Sequence, residues 1–184
     1  MITRDEALEL LETFKHKGSQ LHHALETEAV MKGLAQRLGH DPELWGLTGL
    51  LHDLDFPQTK DTPEEHGPVG ARELEGRLPE EALRAIQAHN SECTEVMPET
   101  ELDFALRCGE TVTGLVSANA LVRPQVMVDM KPKSLKKKMK DKHFAANVSR
   151  ERIMECEKIG LEPGEFFQIS IERIAAIADQ VGLD

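Results

Sequence analysis

Apolar residues recur along almost the whole chain at the three- and four-residue spacing of amphipathic helices. The first helix opens at a capping box of Thr3 and Glu6. The pattern predicts this helix and others over about 19–38, 42–54, 64–77, 79–89, 101–122 and 134–140, one beginning at Ser149, and a last one over about 163–181. Residues 56–63 and 91–100 are predicted loops. The chain is therefore expected to form a single all-α domain of about seven to nine helices.

The helix over 42–54 is the most apolar of the chain. Gly39 marks the end of the preceding helix, and Asp41 followed by Pro42 is typical of an N-cap and a first turn. Leucines and the single tryptophan occupy nearly all sides of this helix, at positions 44, 45, 47, 50, 51 and 54. A helix that is apolar all round is expected to be central and buried.

Composition narrows the class of protein. Of the 184 residues, 30% are charged and 40% are hydrophobic, which is typical of a soluble globular domain. Aromatic residues make up only 4%, with no tyrosine, and this argues against an all-β fold. The net charge of −11 makes binding to nucleic acid through overall charge unlikely.

The same sequence points to the cytoplasm. No uncharged run approaches the roughly 20 residues of a membrane span, and the N-terminus lacks a signal-peptide pattern. The cysteines, Cys93, Cys108 and Cys156, are odd in number and widely spaced, so they are interpreted as reduced thiols. No membrane partner is expected, and nothing points to a particular oligomeric state.

Two ionisable residues, His52 and Asp53, end the apolar helix. A buried imidazole and carboxylate without partners would cost several kcal/mol, and a divalent metal would supply the partner. These ligand types suit Mn, Fe, Co, Ni or Zn, while the lack of thiolates argues against a closed structural zinc site. The alternative is a hydrogen-bonded histidine beside an exposed aspartate at a helix end.

The wider order of motifs resembles the HD superfamily of metal-dependent phosphohydrolases. The resemblance rests on the stretch from His23 to Gly39 and on Leu50-Leu51-His52-Asp53-Leu54. It continues through 64–71, 85–90 and 110–124, and 134–146 is similar to the tail of one uncharacterised subgroup. The resemblance covers about 20–180. It implies a compact HD-domain helical bundle over 1–184, with a core over about 20–122 and the segment 131–182 packed on it.

The resemblance also implies a set of metal ligands. His23, His52, Asp53 and Glu110 would hold the first divalent ion, with Mn, Fe, Co, Ni, Zn and Mg as the candidates. Glu110 stands where the family usually has the shorter Asp, which changes the geometry of that ligand. His22 is the alternative to His23 as a ligand.

Further residues are implied around these ligands. His66 and His89 would bind a second metal or the substrate phosphate, or they are helix caps or surface groups. Asp53 and Asp55 are the catalytic candidates. Asp53 would orient the attacking water, and Asp55 would accept a hydrogen bond from a ligand histidine or carry a proton, unless it is an exposed helix-end residue.

Other polar residues are interpreted as structural. His16, His40 and His143 are expected to be surface or packing residues. Thr113 and Asn119 follow Glu110 on the same helix and could reach the pocket, although packing is the favoured interpretation for both.

Seven lysines and one aspartate give the segment 131–142 a charge of +6 within the acidic chain. Lys136, Lys137 and Lys138 would form a positive lip that binds the substrate phosphate. A solvated helical face is the second interpretation. A nucleic-acid patch is the third, because no aromatic residues are interleaved with the lysines.

The expected function is hydrolysis of a small phosphate ester by a metal-activated water, with a nucleotide as one candidate substrate. The alternative is a degenerate HD scaffold that binds a nucleotide or a partner protein without catalysis. A nucleic-acid accessory protein is a third class.

Overall fold

The computed structural model describes residues 1–184 and contains helices without any β-strand, which confirms the predicted all-α fold. The α-helices are α1 (Arg4–Thr13), α2 (Ser19–Leu38), α3 (Pro42–Leu51), α4 (Phe56–Thr59), α5 (Pro68–Glu73), α6 (Glu80–Ala88), α7 (Ser91–Thr94), α8 (Glu101–Leu121), α9 (Pro132–Met139), α10 (Arg150–Met154) and α11 (Pro163–Ala175). Two 3₁₀ helices cover Glu155–Ile159 and Ala178–Gln180. None of these helices is both long and apolar enough to cross a lipid bilayer.

The predicted helix boundaries are confirmed where capping residues define them. Thr3 and Glu6 form both hydrogen bonds of the capping box at the start of α1. Gly39 ends α2 in the left-handed conformation, with φ of 82°. The Asp41 side chain then accepts a hydrogen bond from the backbone N–H of Glu43 at the start of α3.

The count of helices is higher than the predicted seven to nine, because both predicted loops contain a single helical turn. These turns are α4 and α7, and four residues are too few to produce a periodic pattern. The helix predicted over 64–77 is reduced to α5. The first helical position of α5 is Pro68, which fits that position because it needs no N–H donor there.

Two hydrophobic clusters hold the helices together. The larger one joins α2 to α8 and α11 through residues that include Leu34, Leu115 and Phe166. Leu135 of α9 and Ile153 of α10 belong to the same cluster, so the basic segment is anchored on this core. Burial of such side chains contributes about 1.5–3 kcal/mol each.

The smaller cluster surrounds the end of α3. Leu50, Leu51 and Leu54 are fully buried there against Leu11 of α1 and Ile86 of α6. The prediction that the helix over 42–54 is central is confirmed, since every residue from Trp45 to Leu51 is buried. The C-terminal ends of α3 and α6 are thereby fixed beside α2 and α8.

Candidate metal centre

Four imidazoles surround one carboxylate, that of Asp53. Its Oδ1 atom lies 3.2 Å from Nε2 of His52, 3.2 Å from Nε2 of His66 and 3.4 Å from Nε2 of His89. Its Oδ2 atom lies 3.7 Å from Nε2 of His23. The fold therefore brings together five predicted site residues, the last of which, His89, lies 66 positions beyond the first, His23.

These residues form two groups that share Asp53. In the first, the ligand atoms of His23, His52 and Asp53 all lie within 4.8 Å of one another. In the second, the same holds for Asp53, His66 and His89. A carboxylate has two oxygens with several lone pairs, so Asp53 can contact two cations at once.

The ring nitrogens that face away from Asp53 are held by helix ends. Nδ1 of His52 lies 2.8 Å from the carbonyl oxygen of Gly49, and Nδ1 of His89 lies 2.5 Å from that of Ile86. Each carbonyl is among the last four of its helix, which lack an intrahelical donor. Because a carbonyl only accepts, Nδ1 carries the proton in both rings, and Nε2 presents a lone pair.

Asp55 holds His66 in the same way. Nδ1 of His66 donates to Asp55 Oδ1 at 2.8 Å, and the backbone N–H groups of Gly67 and Gly70 donate to Oδ2 at 2.8 and 2.7 Å. The Asp55 side chain is fully buried, which is the opposite of the exposed helix end considered above. Gly67 has φ of +102°, and a Cβ there would lie 2.9 Å from the carbonyl oxygen of Ile86, so glycine is required.

Thr113 of α8 holds the fourth ring. Its hydroxyl donates to the carbonyl oxygen of Glu110 at 2.7 Å and lies 2.9 Å from Nδ1 of His23. Since the hydroxyl proton is already used, the oxygen accepts from the ring, and Nε2 of His23 also presents a lone pair. Thr113 is therefore buried beside the centre and positions one of its histidines.

The donor chemistry of this cluster fits a divalent metal. Nε2 atoms of His23 and His52 are 3.2 Å apart, and those of His66 and His89 are 3.1 Å apart. The two rings of a pair cannot both present lone pairs at such distances without repulsion, so either a proton or a cation must lie between them. Imidazole and carboxylate ligands, each oriented by an outer hydrogen bond, are the usual surroundings of a transition metal in proteins.

The pKa values of His52, Asp53 and His66 also indicate that this cluster favours positive charge beside the Asp53 carboxylate. Burial lowers the pKa of His52 to about 3, so this ring is neutral and able to ligate. Burial alone would raise the pKa of Asp53, but the surrounding imidazoles, above all His52, hold it well below its usual range. Burial alone would lower the pKa of His66, but the carboxylates of Asp53 and Asp55 raise it to about 9.

The structure does not bring the predicted ligand Glu110 into either group of ligand atoms. Its Oε1 atom accepts hydrogen bonds from the Thr111 hydroxyl at 2.5 Å and from Nη1 of Arg152 at 3.2 Å. The positive charge of Arg152, which projects from α10, gives this carboxylate another partner. The ligand role of Glu110 stays a prediction.

The predicted phosphate lip is likewise separate from the centre. Lys137 and Lys138 line a different cavity, together with Asn119, and Lys136 lies against Gly164 at the start of α11. The reason is the packing of α9, which is fixed through Leu135 near the C-terminal end of α8. Asn119 donates to the Ser134 hydroxyl there at 3.0 Å and does not reach the histidines.

The remaining histidines lie outside the centre. His22, the alternative ligand, is in neither group of ligand atoms. His16 is buried, with Nε2 3.0 Å from the carbonyl oxygen of Leu54, and His40 stacks on Trp45 at 4.6 Å between ring centroids. His143 is exposed. Each of the last three is a packing or surface residue, as predicted.

A cavity of about 400 Å³ opens beside His23 and Glu110. Its other lining residues are Glu92, Thr111, Gly114, Asn147, Val148, Ser149 and Arg152. Arg152 is the only cationic side chain among them, and it also contacts Glu92 through Nη2 at 2.5 Å. Because the cavity is mostly polar and adjoins His23, it is suited to a polar ligand that reaches the centre.

Sequence reasoning missed two arginines that organise this region, Arg152 and Arg107. Arg107 is buried in α8 and donates to the carbonyl oxygens of Ala88 and His89, both at 3.2 Å. It thereby supports the end of α6 that carries His89. The available signal was an arginine in the middle of a long apolar helix, three residues before Glu110.

Comparison with known proteins agrees with this geometry. The family model described as the HD domain matches residues 21–110. The matched segment includes all five residues of the cluster as well as Glu110. No curated protein and no solved structure matches the chain.

Proposed function

We propose that the chain is a metal-dependent phosphohydrolase that acts on a small phosphate ester, because residues 21–110 match the HD domain model. The observation that carries this proposal is the convergence of four Nε2 atoms on the Asp53 carboxylate. A buried cluster of this kind is costly to maintain without a cation, and it is typical of a functional site.

The two groups of ligand atoms support sites for two cations. His23, His52 and Asp53 would hold one, and Asp53, His66 and His89 the other. The imidazole-rich donor set favours Mn, Fe, Co, Ni or Zn over Mg, which prefers oxygen ligands. When bound, such cations supply Lewis acidity that activates water near neutral pH and offsets charge on phosphoryl oxygens.

The residues of the chain would contribute orientation and charge. The outer hydrogen bonds from His23, His52, His66 and His89 fix the rings before substrate arrives, which removes reorganisation from the reaction. We assign Asp55 the role of a positioning residue for His66, because all its hydrogen bonds are to the protein. The catalytic role expected for Asp53 follows from its central place.

Arg152 is the candidate for binding the substrate phosphate. A guanidinium presents a planar fork of donors that matches phosphate oxygens. Its place in the cavity beside His23 supports this role, whereas Lys137 and Lys138 line another cavity and Lys136 lies against Gly164. The volume of about 400 Å³ falls in the range of small-molecule sites, and a nucleotide is one candidate substrate.

The non-catalytic scaffold remains the second candidate, because Glu110 pairs with Arg152. If both groups stay paired, the centre has one ligand fewer than expected and the cavity has no free cation. Such a protein would hold metal and bind a phosphorylated ligand without hydrolysing it.

The cellular setting follows from the cysteines and the charge. We propose a cytoplasmic location, because the three cysteines are free thiols and such thiols suit a reducing compartment. The net charge of −11 supports a small phosphorylated substrate over nucleic acid as the main partner.

The decisive experiment compares the wild type with Asp53→Asn. Both proteins are supplied with Mn²⁺, Co²⁺ or Zn²⁺ and analysed for metal per chain, and phosphate release is measured with p-nitrophenyl phosphate, its bis ester and a nucleotide panel. Asp61→Asn, an exposed carboxylate in the same loop region, is the matched control.

We expect the wild type and Asp61→Asn to bind metal and release phosphate, and Asp53→Asn to lose both properties. A wild type that holds metal but hydrolyses none of these esters would establish the scaffold instead. Equal metal content in Asp53→Asn would show that the cluster is not the metal centre.

A further inference from the structure

A second cavity lies toward the C-terminal end of α8, with a volume of about 560 Å³. Its lining consists of Asn119, Val122, Arg123, Ser134, Lys137, Lys138, Lys140 and Asp141. It shares no lining residue with the cavity beside the histidines. Asn119 is nine residues beyond Glu110, which is about 13 Å along a helix axis.

Four cations and one carboxylate face this cavity, and the cations are not neutralised. Neither Lys137 nor Lys140 has a carboxylate oxygen within 4.0 Å, and Asp141 instead accepts a hydrogen bond from the backbone N–H of His143 at 3.1 Å. In contrast, Arg107 and Arg152 elsewhere in the chain pair with carboxylates. In a chain with a net charge of −11, this is an exceptional concentration of free positive charge.

Two of the cations are held in place by the protein. Nζ of Lys138 lies 3.7 Å from the centroid of the Phe144 ring, a cation–π contact. Nε and Nη2 of Arg123 donate to the carbonyl oxygens of Val126 and Val128 at 3.0 and 2.6 Å. These contacts leave Nη1 of Arg123 as a donor toward a ligand.

The wall between these cations is polar and fixed. Asn119 is only 1% exposed, and its amide makes hydrogen bonds with the Ser134 hydroxyl. Ser134 lies in the first turn of α9, and the next residue, Leu135, anchors that helix in the core. This side of the cavity is therefore already ordered, so binding a ligand there costs little conformational entropy.

We propose that this cavity binds the oligophosphate group of a small molecule, at a site distinct from the metal centre. The four cations and the Asp141 carboxylate give the lining a net charge of +3, which is close in size to the negative charge of a di- or triphosphate group. Val122 is the one apolar lining residue, and no aromatic residue lines the cavity, so the lining offers no platform for stacking a base. These features favour a compact phosphate group over a nucleic-acid strand.

The test is calorimetric binding of inorganic triphosphate to the full chain. The double variant Lys137→Gln/Lys140→Gln removes two unpaired cations, and Lys17→Gln/Lys158→Gln removes two exposed lysines elsewhere, with the same change in charge. Asp53→Asn is titrated as well, and the melting temperature of each variant shows that it is folded.

We expect the wild type and Asp53→Asn to bind triphosphate equally. Affinity should fall at least about tenfold in Lys137→Gln/Lys140→Gln and less than about twofold in the control pair, because only the first pair removes direct charge contacts. Asp53→Asn leaves the basic cavity intact, so binding of triphosphate there does not depend on whether the chain is a hydrolase. The two proposals can therefore fail independently.

Three results would overturn the proposal. The first is that the wild type does not bind triphosphate at millimolar concentration, and the second is that both lysine double variants lose the same affinity. The third is that Asp53→Asn no longer binds triphosphate, which would place the ligand at the histidines. A single-stranded 20-mer RNA is titrated in parallel. Tighter binding of the RNA than of triphosphate, lost in the same variant, would assign the surface to nucleic acid and refute the small-ligand site.

Discussion

Asp55 Oδ1 accepts a 2.8 Å hydrogen bond from Nδ1 of His66, on the side of the ring opposite to Asp53. The other Asp55 oxygen is already occupied by the N–H groups of Gly67 and Gly70. One carboxylate thus fixes the turn before α5 and the ring that this turn presents to the centre. The orientation of His66 is therefore set by Asp55 even without a bound cation.

Asp55→Asn should weaken metal binding without abolishing it. The amide nitrogen would face either the His66 N–H or the two glycine N–H groups, so one donor loses its acceptor. Loss of such an outer partner typically lowers metal affinity about 10- to 100-fold. Titration against a competing chelator measures this change, with Asp61→Asn as the control, and affinity equal to the wild type would contradict the positioning role.

Thr113→Val should affect only the first group of ligand atoms. The substitution keeps the side-chain shape but removes the oxygen that accepts from Nδ1 of His23. We expect one of two bound ions to be lost or weakened, measured as ions per chain and by stepwise titration. Thr48→Val is the matched control, because the Thr48 hydroxyl donates to the Leu44 carbonyl within α3. Equal effects of both substitutions would indicate general destabilisation instead.

Glu110→Gln should leave metal affinity within about threefold of the wild type, because the Glu110 carboxylate contacts Arg152 and Thr111 and not the cluster. Phosphate release should change instead, since Arg152 loses the negative charge of one of its two carboxylate partners. Chelator titration and steady-state kinetics separate the two effects. A loss of metal as large as that of His23→Ala would restore Glu110 as a ligand.

Glu26 should make stability depend on pH. Burial raises the pKa of this carboxyl to about 7, against the opposing hydrogen bond from Ser117. The folded state therefore binds the Glu26 proton more tightly than the unfolded state does. The contribution of this group to stability falls as the pH rises from its ordinary value of 4.5 to about 7, and stays low above that.

Glu26→Gln should consequently stabilise the protein at pH 8 by about 1–3 kcal/mol and have little effect at pH 4.5. Urea unfolding at both pH values, in the presence of EDTA to remove metal, measures the difference. Glu9→Gln, on the exposed side of α1, is the control and should show no such dependence. A destabilised Glu26→Gln at pH 8 would mean that the ionised carboxylate is favourable in the fold.

The helices could be predicted because capping residues and apolar spacing are visible over a few neighbouring positions. The cluster could be predicted because its residues follow the order of a known family along the chain. Capping residues such as Thr3 and Asp41 define helix starts within a few positions, and apolar spacing identifies α3 as central. His23, His52 and Asp53 follow a family order, and the fold brings them together. Short turns such as α4 and α7 contain too few residues to show a period.

The pairing of Glu110 with Arg152 could not be predicted, because it joins residues 42 positions apart and depends on how α10 packs against α8. The position of the lysines of α9 depends on where Leu135 packs in the core. The spacing of residues along the sequence does not define that position. Charge therefore identified a basic segment, but it could not show which cavity that segment lines.

His52 and His89 each serve as the terminal brace of a helix, because their Nδ1 protons engage the carbonyls of Gly49 and Ile86. Truncating either ring to alanine would fray the preceding turn as well as delete a ligand, so the two losses would be confounded. Substitution by asparagine separates the two losses. Its amide nitrogen can take the place of Nδ1 and keep the hydrogen bond to the helix carbonyl, whereas no atom takes the place of Nε2. The same two side chains thus end two helices and supply two of the ring nitrogens that face Asp53.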